Sequence, residues 1–154
     1  RSLGLGPRSI EKALESFNGL SHRSQLVTEI GGVVFINDSK ATNVDSAMKA
    51  LATFSKVRWI CGGEQKEEDI SRLNNALNNV KKAYVIGANT EKFSSQISCE
   101  FENCNTMDIA VQKAFRDAQA GDTVLLAPAA ASFDQYGSFE ERGQAFEHEI
   151  KKLV

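Results

Sequence analysis

The chain has 154 residues, 42% of them hydrophobic and 25% charged. That suffices for one ordinary core and excludes a multidomain enzyme within these residues, because chains divide into separate cores only beyond roughly 250 residues. The 18 basic and 20 acidic residues leave a net charge of −2, which gives no overall electrostatic reason to expect nucleic acid or an anionic membrane as partner.

In chain order, the first expected element is a helix from Pro7 to about Phe17, with Ile10, Ala13, Leu14 and Phe17 at helical spacing and Asn18-Gly19 as its stop. Gln25 to Ile30 and Val33 to Ile36 read as two strands joined by a tight turn at Gly31-Gly32. The second strand runs into a polar loop, Asn37-Asp38-Ser39-Lys40-Ala41-Thr42-Asn43. Asn43 can cap a helix whose apolar positions are Val44, Ala47, Met48 and Leu51. A strand Val57 to Cys61 then leads through Gly62-Gly63-Glu64-Gln65-Lys66 to a helical pattern at Ile70, Leu73, Ala76 and Leu77. Ala83 to Ile86 reads as a strand ending at Gly87, followed by a short helical turn near Glu91 to Ser95 and a short strand at Ile97 to Glu100. Thr106 or Asp108 caps a helix carrying Ile109, Ala110, Lys113 and Ala114. After the turn at Gly121-Asp122, Thr123 to Ala127 is a buried strand, Ala127 to Phe139 a long loop, and Phe139 to about Leu153 a last helix.

Strands alternating with helices, several of them continuously apolar, predict an α/β fold. The expected form is a three-layer Rossmann-like domain with a mostly parallel sheet, one edge hairpin and helices on both faces. Ligands of such folds meet the carboxyl ends of the strands. The loops Asn37 to Thr42, Gly62 to Lys66 and Ala127 to Phe139 all fall there, which makes them the candidate site.

Asp38, Lys40 and Thr42 stand at alternate positions before a helix N-terminus, whose free amides favour anions. The bland alternative is that Asp38 and Thr42 satisfy loop amides while Lys40 lies in solvent. The second loop lets backbone approach a ligand and adds the cation Lys66, yet it is not a Walker A sequence, and no GxGxxG supports a dinucleotide site. In the third loop, Phe133, Tyr136 and Phe139 sit three apart and could pack the start of the last helix against the sheet, while Ser132 and nearby amides could hold a carboxylate. His22 reads as a hydrogen-bond partner and His148 as part of a solvated helix face, so neither suggests a metal site.

No apolar run approaches the roughly 18 residues that a membrane helix requires, and no signal-type segment opens the chain. The 3 cysteines, Cys61, Cys99 and Cys104, are odd in number and lack CxxC spacing. Free thiols in a reducing cytoplasm are therefore expected. The chain begins at Arg1 rather than Met, as a piece of a longer protein would.

Four segments, Leu20-Ser21-His22-Arg23, Asn37 through Asn43, Gly62-Gly63 with Lys66, and Leu126 through Arg142-Gly143, together resemble the C-terminal domain of the bacterial Mur ligases. Within that family the resemblance is to the branch that adds D-glutamate to UDP-N-acetylmuramoyl-L-alanine in peptidoglycan synthesis. The Asn-Asp-Ser-Lys-Ala-Thr-Asn string carries this, because relatives adding other amino acids, or glutamate to folate, typically have a DYAH-type or histidine-containing segment there. The resemblance implies an ATP-dependent ligase that forms an amide through an acyl phosphate. It further implies ATP contacts at Arg23, Asp38 and Lys40, with Asp38 suited to a ribose hydroxyl, Arg23 and Lys40 offsetting phosphate charge, and Lys40 counted as catalytic. Thr42, Lys66, Ser132 and the backbone at Phe133 and Phe139 are implied as the D-glutamate pocket. The family's GKT or GKS phosphate loop, its middle-domain segment for Mg²⁺ and a carbamylated lysine, and its uridine-binding domain are not in this sequence. The expectation is thus a lobe that is inactive alone and closes as a rigid body over the other domains. Two alternatives stay open: a free-standing binding or regulatory module, and the same lobe of a sister Mur ligase.

Overall fold

The computed structural model describes residues 6–8 and 20–154. The helix expected from Pro7 to about Phe17 lies, beyond Pro7 and Arg8, outside the described residues. The strands are β1 (Gln25–Ile30), β2 (Val33–Asn37), β3 (Val57–Gly62), β4 (Val80–Ile86), β5 (Phe101–Asn105) and β6 (Thr123–Leu126). The α-helices are α1 (Val44–Thr53), α2 (Thr90–Ser94), α3 (Met107–Asp117) and α4 (Phe139–Lys151), and a 3₁₀ helix spans Ser71–Asn79.

Among the described residues the strands form one six-stranded sheet in the order β1-β2-β6-β3-β4-β5. Only β1 and β2 pair antiparallel, with Ile30 opposite Val33; every other pairing is parallel. The hairpin closes in two residues because Gly31 and Gly32 both take positive φ, 59° and 80°, as a type I′ turn requires.

Two cores sandwich the sheet. One packs Val44, Ala47, Ala50 and Leu51 of α1 with Leu73, Leu77 and Phe93 against Trp59, Val85 and Leu125. The other packs Ala110, Val111 and Ala114 of α3 with Phe146 and Ile150 of α4 against Phe35, Ile60, Tyr84 and Leu126. Each α1 contact follows from helical spacing, and the helix begins where the Asn43 side chain accepts the Ser46 amide at 2.9 Å.

This order places a crossover beside β6. The chain leaves β2 and β3 for helices on the first face, whereas it leaves β6 for α4 on the second. Adjacent loops therefore part at the carboxyl end of β6, opening the kind of crevice in which α/β sheets hold ligands.

Two expectations need correction and one is made more specific. The strand placed at Ile97 to Glu100 is instead Phe101–Asn105, because Ile97 turns into the first core while Glu100 is exposed. As an edge strand, β5 buries only Cys104 and so carries little apolar signal. The helix read at Ile70, Leu73, Ala76 and Leu77 is a 3₁₀ helix, in which positions three apart align. Finally, β4 starts at Val80 rather than Ala83. The three cysteines are unpaired thiols.

At the β4–β5 edge, Lys82 donates to Glu102 at 2.9 Å and to Asp117 at 3.0 Å. Tyr84 also donates to Asp117, and Lys113 bonds Glu102. Burial alone would raise the Asp117 carboxyl, but hydrogen bonds from Lys82, Tyr84 and Arg116 outweigh it and hold the group at about 2. A carboxyl depressed in the folded state stabilises fully above its unfolded pKa of about 3.9, and that contribution is lost as pH falls through the folded value. Stability should thus decline between about pH 4 and 2. Urea titrations of Asp117→Asn should show lower stability at neutral pH and a shallower acid decline; parallel acid profiles would contradict this.

Candidate functional site

The three polar loops meet around one side chain. Arg142 lies in the first turn of α4 and is 1% exposed. Its Nε donates to Ser39 Oγ at 3.0 Å, and Nη2 donates to the Ser39 carbonyl at 3.0 Å. Nη1 donates to the carbonyls of Ala130 and Ala131, both at 3.1 Å. The guanidinium thus joins the β2 loop to the β6 loop without a carboxylate in hydrogen-bond contact. Burial lowers its pKa to about 10, against the opposing pull of Asp134 and Tyr136, so it remains a cation at neutral pH. Ala131 also exchanges amide–carbonyl bonds of 2.9 Å with Glu64, which brings in the β3 loop. Gly63 must lack a side chain there, since a Cβ would lie 2.3 Å from the Ala131 carbonyl oxygen.

A second junction fixes the start of β1 to α4. The Asn37 amide nitrogen is 2.9 Å from His22 Nδ1, and it donates to the Gly143 carbonyl at 3.1 Å and to Glu147 at 2.8 Å. A Cβ on Gly143 would fall 2.2 Å from the His22 ring, so glycine is what lets the helix approach. His22 itself holds a positive φ of 61°, a conformation that costs a non-glycine residue energy and that its surroundings must enforce. The hydrogen-bonding role expected of His22 is the one observed, and His148 is exposed.

Around this frame lie two adjacent cavities. The first, about 230 Å³, is lined by Arg23, Asp38 and Lys40 with Ser24, Ser46 and Lys49 among others. The second, about 170 Å³, is lined by Lys40, Thr42, Lys66, Ala131, Ser132, Phe133 and Phe139. Every residue expected to contact ATP or D-glutamate borders one of the two, and Lys40 borders both. Its ammonium sits 3.8 Å from the centroid of the Phe139 ring, a cation–π contact that holds the charge between the cavities. In the first cavity, burial raises the Asp38 carboxyl, while Ser24 hydrogen bonds and the Arg23 charge pull it down. The surroundings are rich in cations: Arg23, Lys40 and Lys49 face the single carboxylate Asp38.

The second cavity combines the ammonium groups of Lys40 and Lys66 with the hydroxyls of Thr42 and Ser132. Among the described residues, the backbone amides of Phe133 and Phe139 donate no hydrogen bond. Such donors suit an anion, particularly an oxygen acid. Phe133 is 67% exposed, so the expectation that Phe133, Tyr136 and Phe139 pack together against the sheet holds only for Tyr136, which lies against the second core. Phe139 instead stacks beneath Lys40 and edge-on to His22.

Sequence reasoning missed the two residues that organise the site. Arg142 closes the segment Leu126 through Arg142-Gly143 that carries the resemblance, but beside Glu140 and Glu141 it has no expected role; the glycine after it is the one available signal. Asn37 falls in the polar loop with no expected role of its own. Lys49 escaped notice because its helix shows Val44, Ala47, Ala50 and Leu51 as the buried face.

Residues 22–130 match the family described as "Mur ligase, glutamate ligase domain". UDP-N-acetylmuramoylalanine–D-glutamate ligases of Ruegeria pomeroyi and Roseobacter denitrificans are 58% and 59% identical over 154 residues, covering 100% of this chain and 33% of each relative. The chain therefore spans about a third of the length of these curated relatives. Among solved structures, MurF ligase from Thermotoga maritima in complex with ADP superposes with a TM-score of 0.60 at 18% identity, covering 95% of this chain and 37% of that one. A bifunctional folylpolyglutamate synthase/dihydrofolate synthase from Yersinia pestis, complexed with AMPPNP and Mn ion, gives 0.66 at 20% identity, covering 97% and 35%. These two likenesses establish the fold.

Replacing Arg142 by Met leaves the buried Ser39 and Ala130 carbonyls and the Ser39 hydroxyl without this donor, while the Ala131 carbonyl keeps only the Glu64 amide. Each lost charged hydrogen bond is worth about 1.5–3 kcal/mol. Arg142→Met should lower unfolding stability by at least about 3 kcal/mol, and Arg142→Lys should recover only a minor part because an ammonium cannot reproduce the planar fork. Chemical denaturation checks this; a loss below about 1 kcal/mol would show that the loops do not depend on the guanidinium.

Proposed function

The chain belongs to the Mur ligase family through its glutamate ligase domain, and from that premise we propose that it is the amino-acid-receiving lobe of an ATP-dependent ligase joining D-glutamate to UDP-N-acetylmuramoyl-L-alanine. The observation that carries this reading is the pair of anion-suited cavities divided by Lys40. Support also comes from the glutamate ligases that are 58% and 59% identical along the whole chain, whereas the sister ligase MurF of Thermotoga maritima is 18% identical.

In this reading the first cavity receives the nucleotide. Asp38 accepts from a ribose hydroxyl, and Arg23 and Lys40, joined by Lys49, offset phosphate charge. The second cavity receives D-glutamate, whose two carboxylates take the ammonium of Lys66, the hydroxyls of Thr42 and Ser132, and the amides of Phe133 and Phe139. ATP supplies the phosphoryl group that activates the acceptor's carboxylate as an acyl phosphate, which the amine of D-glutamate then attacks. This chain's part is to hold that amine in place and to keep Lys40 as a fixed charge beside both ligands, since positioning and charge stabilisation supply most of the catalysis in phosphoryl transfer.

The remaining machinery is assigned to other domains of a longer ligase. In this reading Mg²⁺ is held mainly by the central domain of that longer ligase. The lobe alone is therefore inactive and acts by closing over the other domains. A bacterial cytoplasm is the proposed location, where the nucleotide-linked acceptor and ATP are both present; among the described residues no helix is long and apolar enough to cross a membrane.

The test is phosphate release by a full-length ligase carrying this domain, supplied with ATP, the nucleotide-linked acceptor and single amino acids. D-glutamate should drive release and other amino acids should not. Lys66→Ala should raise the KM for D-glutamate by roughly 10- to 100-fold, the worth of one charged hydrogen bond, with little change in the KM for ATP, and Arg23→Ala should do the reverse. Release driven equally by another amino acid would refute the substrate; an unmoved D-glutamate KM in Lys66→Ala would refute the assignment of the second cavity.

A further inference from the structure

The β6 loop does more than border the second cavity: it is moored across the carboxyl ends of the sheet. Beyond Ser132, whose carbonyl accepts the amides of Gln135 at 3.1 Å and Tyr136 at 2.8 Å, the loop reaches away from Arg142 toward β4 and β5. Asp134 Oδ2 accepts the Ala88 amide, just past β4, at 2.9 Å. The Gln135 side chain donates to the Asn105 carbonyl at the end of β5 at 2.9 Å.

The Asp134 contact demands a specific neighbour. Gly87 has φ +99°, and a Cβ there would come 2.6 Å from Asp134 Oδ2 and 2.8 Å from Gly63 Cα. Two glycines that follow strands β4 and β3 thus lie in contact beneath the Asp134 carboxylate. That carboxylate also acts on Arg142 through space, since its charge opposes the effect of burial on the guanidinium. Phe133 is consequently held between two fixed residues: Ser132, 2% exposed, and Asp134 on its mooring. A residue that is 67% exposed and makes no backbone hydrogen bond of its own through its amide takes its position from these flanks.

We propose that Asp134, seated on the Ala88 amide over Gly87, is a positioning residue that sets the Ser132–Phe133 wall of the second cavity and so its affinity for a carboxylate substrate, without touching that substrate. This rests on the D-glutamate reading of the cavity. The mooring has the geometry of a charge-assisted hydrogen bond. Losing it frees the Ser132 hydroxyl and Phe133 amide to spread over many positions, and a site whose donors are not held in place binds less well.

The experiment compares Asp134→Ala, Asp134→Asn and Lys66→Ala in a full-length ligase carrying this domain. Asn retains a side-chain oxygen that can accept the Ala88 amide, whereas Ala does not. Asp134→Ala should raise the KM for D-glutamate roughly tenfold while the KM for ATP stays within about twofold, and Asp134→Asn should recover most of that loss. In the 154-residue chain, hydrogen exchange at the Ala88 amide should accelerate in Asp134→Ala but not in Asp134→Asn. Should the alanine variant fail to fold, Asp134→Glu carries the same expectation, because the added methylene moves the carboxylate off Gly87. An unchanged D-glutamate KM in Asp134→Ala beside a raised one in Lys66→Ala would overturn this inference alone. Unchanged values in both would overturn the cavity assignment and the inference with it. Equal rises in both KM values, or an Asn variant no better than Ala, would reduce Asp134 to general structural support and also overturn it.

Discussion

Burying a guanidinium is costly unless its N–H groups find acceptors, and the carboxyl end of this sheet is arranged around meeting that demand for Arg142. Its acceptors are backbone carbonyls of two different loops and one hydroxyl. Backbone carbonyls have no rotamer freedom with which to follow a displaced donor. The geometry of Ser39, Ala130 and Ala131 is therefore tied to α4 as directly as if they belonged to it. Ser39 extends the connection, since its hydroxyl donates to the Phe139 carbonyl at 2.8 Å, closing a ring from the β2 loop through the first turn of α4. A lysine would supply a charge at this place but not the fork of donors.

The functional geometry follows from that connection together with the sheet order. Because β6 lies between β2 and β3 and sends its chain to the opposite face, the loops around it separate and leave room. Arg142 and the Glu64–Ala131 exchange then limit how far they separate. The result is two cavities rather than one wide cleft, and the partition is Lys40 lying on the Phe139 ring. In the proposed ligase, a nucleotide phosphate and an incoming amino acid would share one cation across that partition. Such sharing couples the two ligands electrostatically without requiring either to move the fold.

Much of this was legible in the sequence because the relevant signals are local. Alternating strands and helices, the Gly31-Gly32 turn and the Asn43 cap each depend on residues close along the chain, and each is where it was expected. The cavity-lining residues were legible for a different reason: they cluster in loops at strand ends, and the motifs they form resemble one family. What the sequence concealed is long-range. Arg142 and Ser39 are 103 positions apart, and nothing in Glu140-Glu141-Arg142 distinguishes a buried hub from a solvated face. The Asp134 mooring to Ala88 spans 46 positions. β5 was displaced because an edge strand exposing most of its side chains has almost no hydrophobic pattern to read. The helical pattern at Ile70, Leu73, Ala76 and Leu77 did not tell a 3₁₀ helix from an α-helix because apolar positions three and four apart serve both.

In the proposed ligase, Lys40 divides a nucleotide cavity from an amino-acid cavity. The measurement that addresses it most directly is a crystal structure of the full-length ligase with D-glutamate and a non-hydrolysable ATP analogue bound together. The carboxylates of D-glutamate should lie against Lys66, Thr42 and Ser132, the ribose and phosphates beside Asp38 and Arg23, and the Lys40 ammonium between the two ligands. D-glutamate seated on the Arg23 side of Lys40, or bound without contact to the β6 loop, would contradict that division.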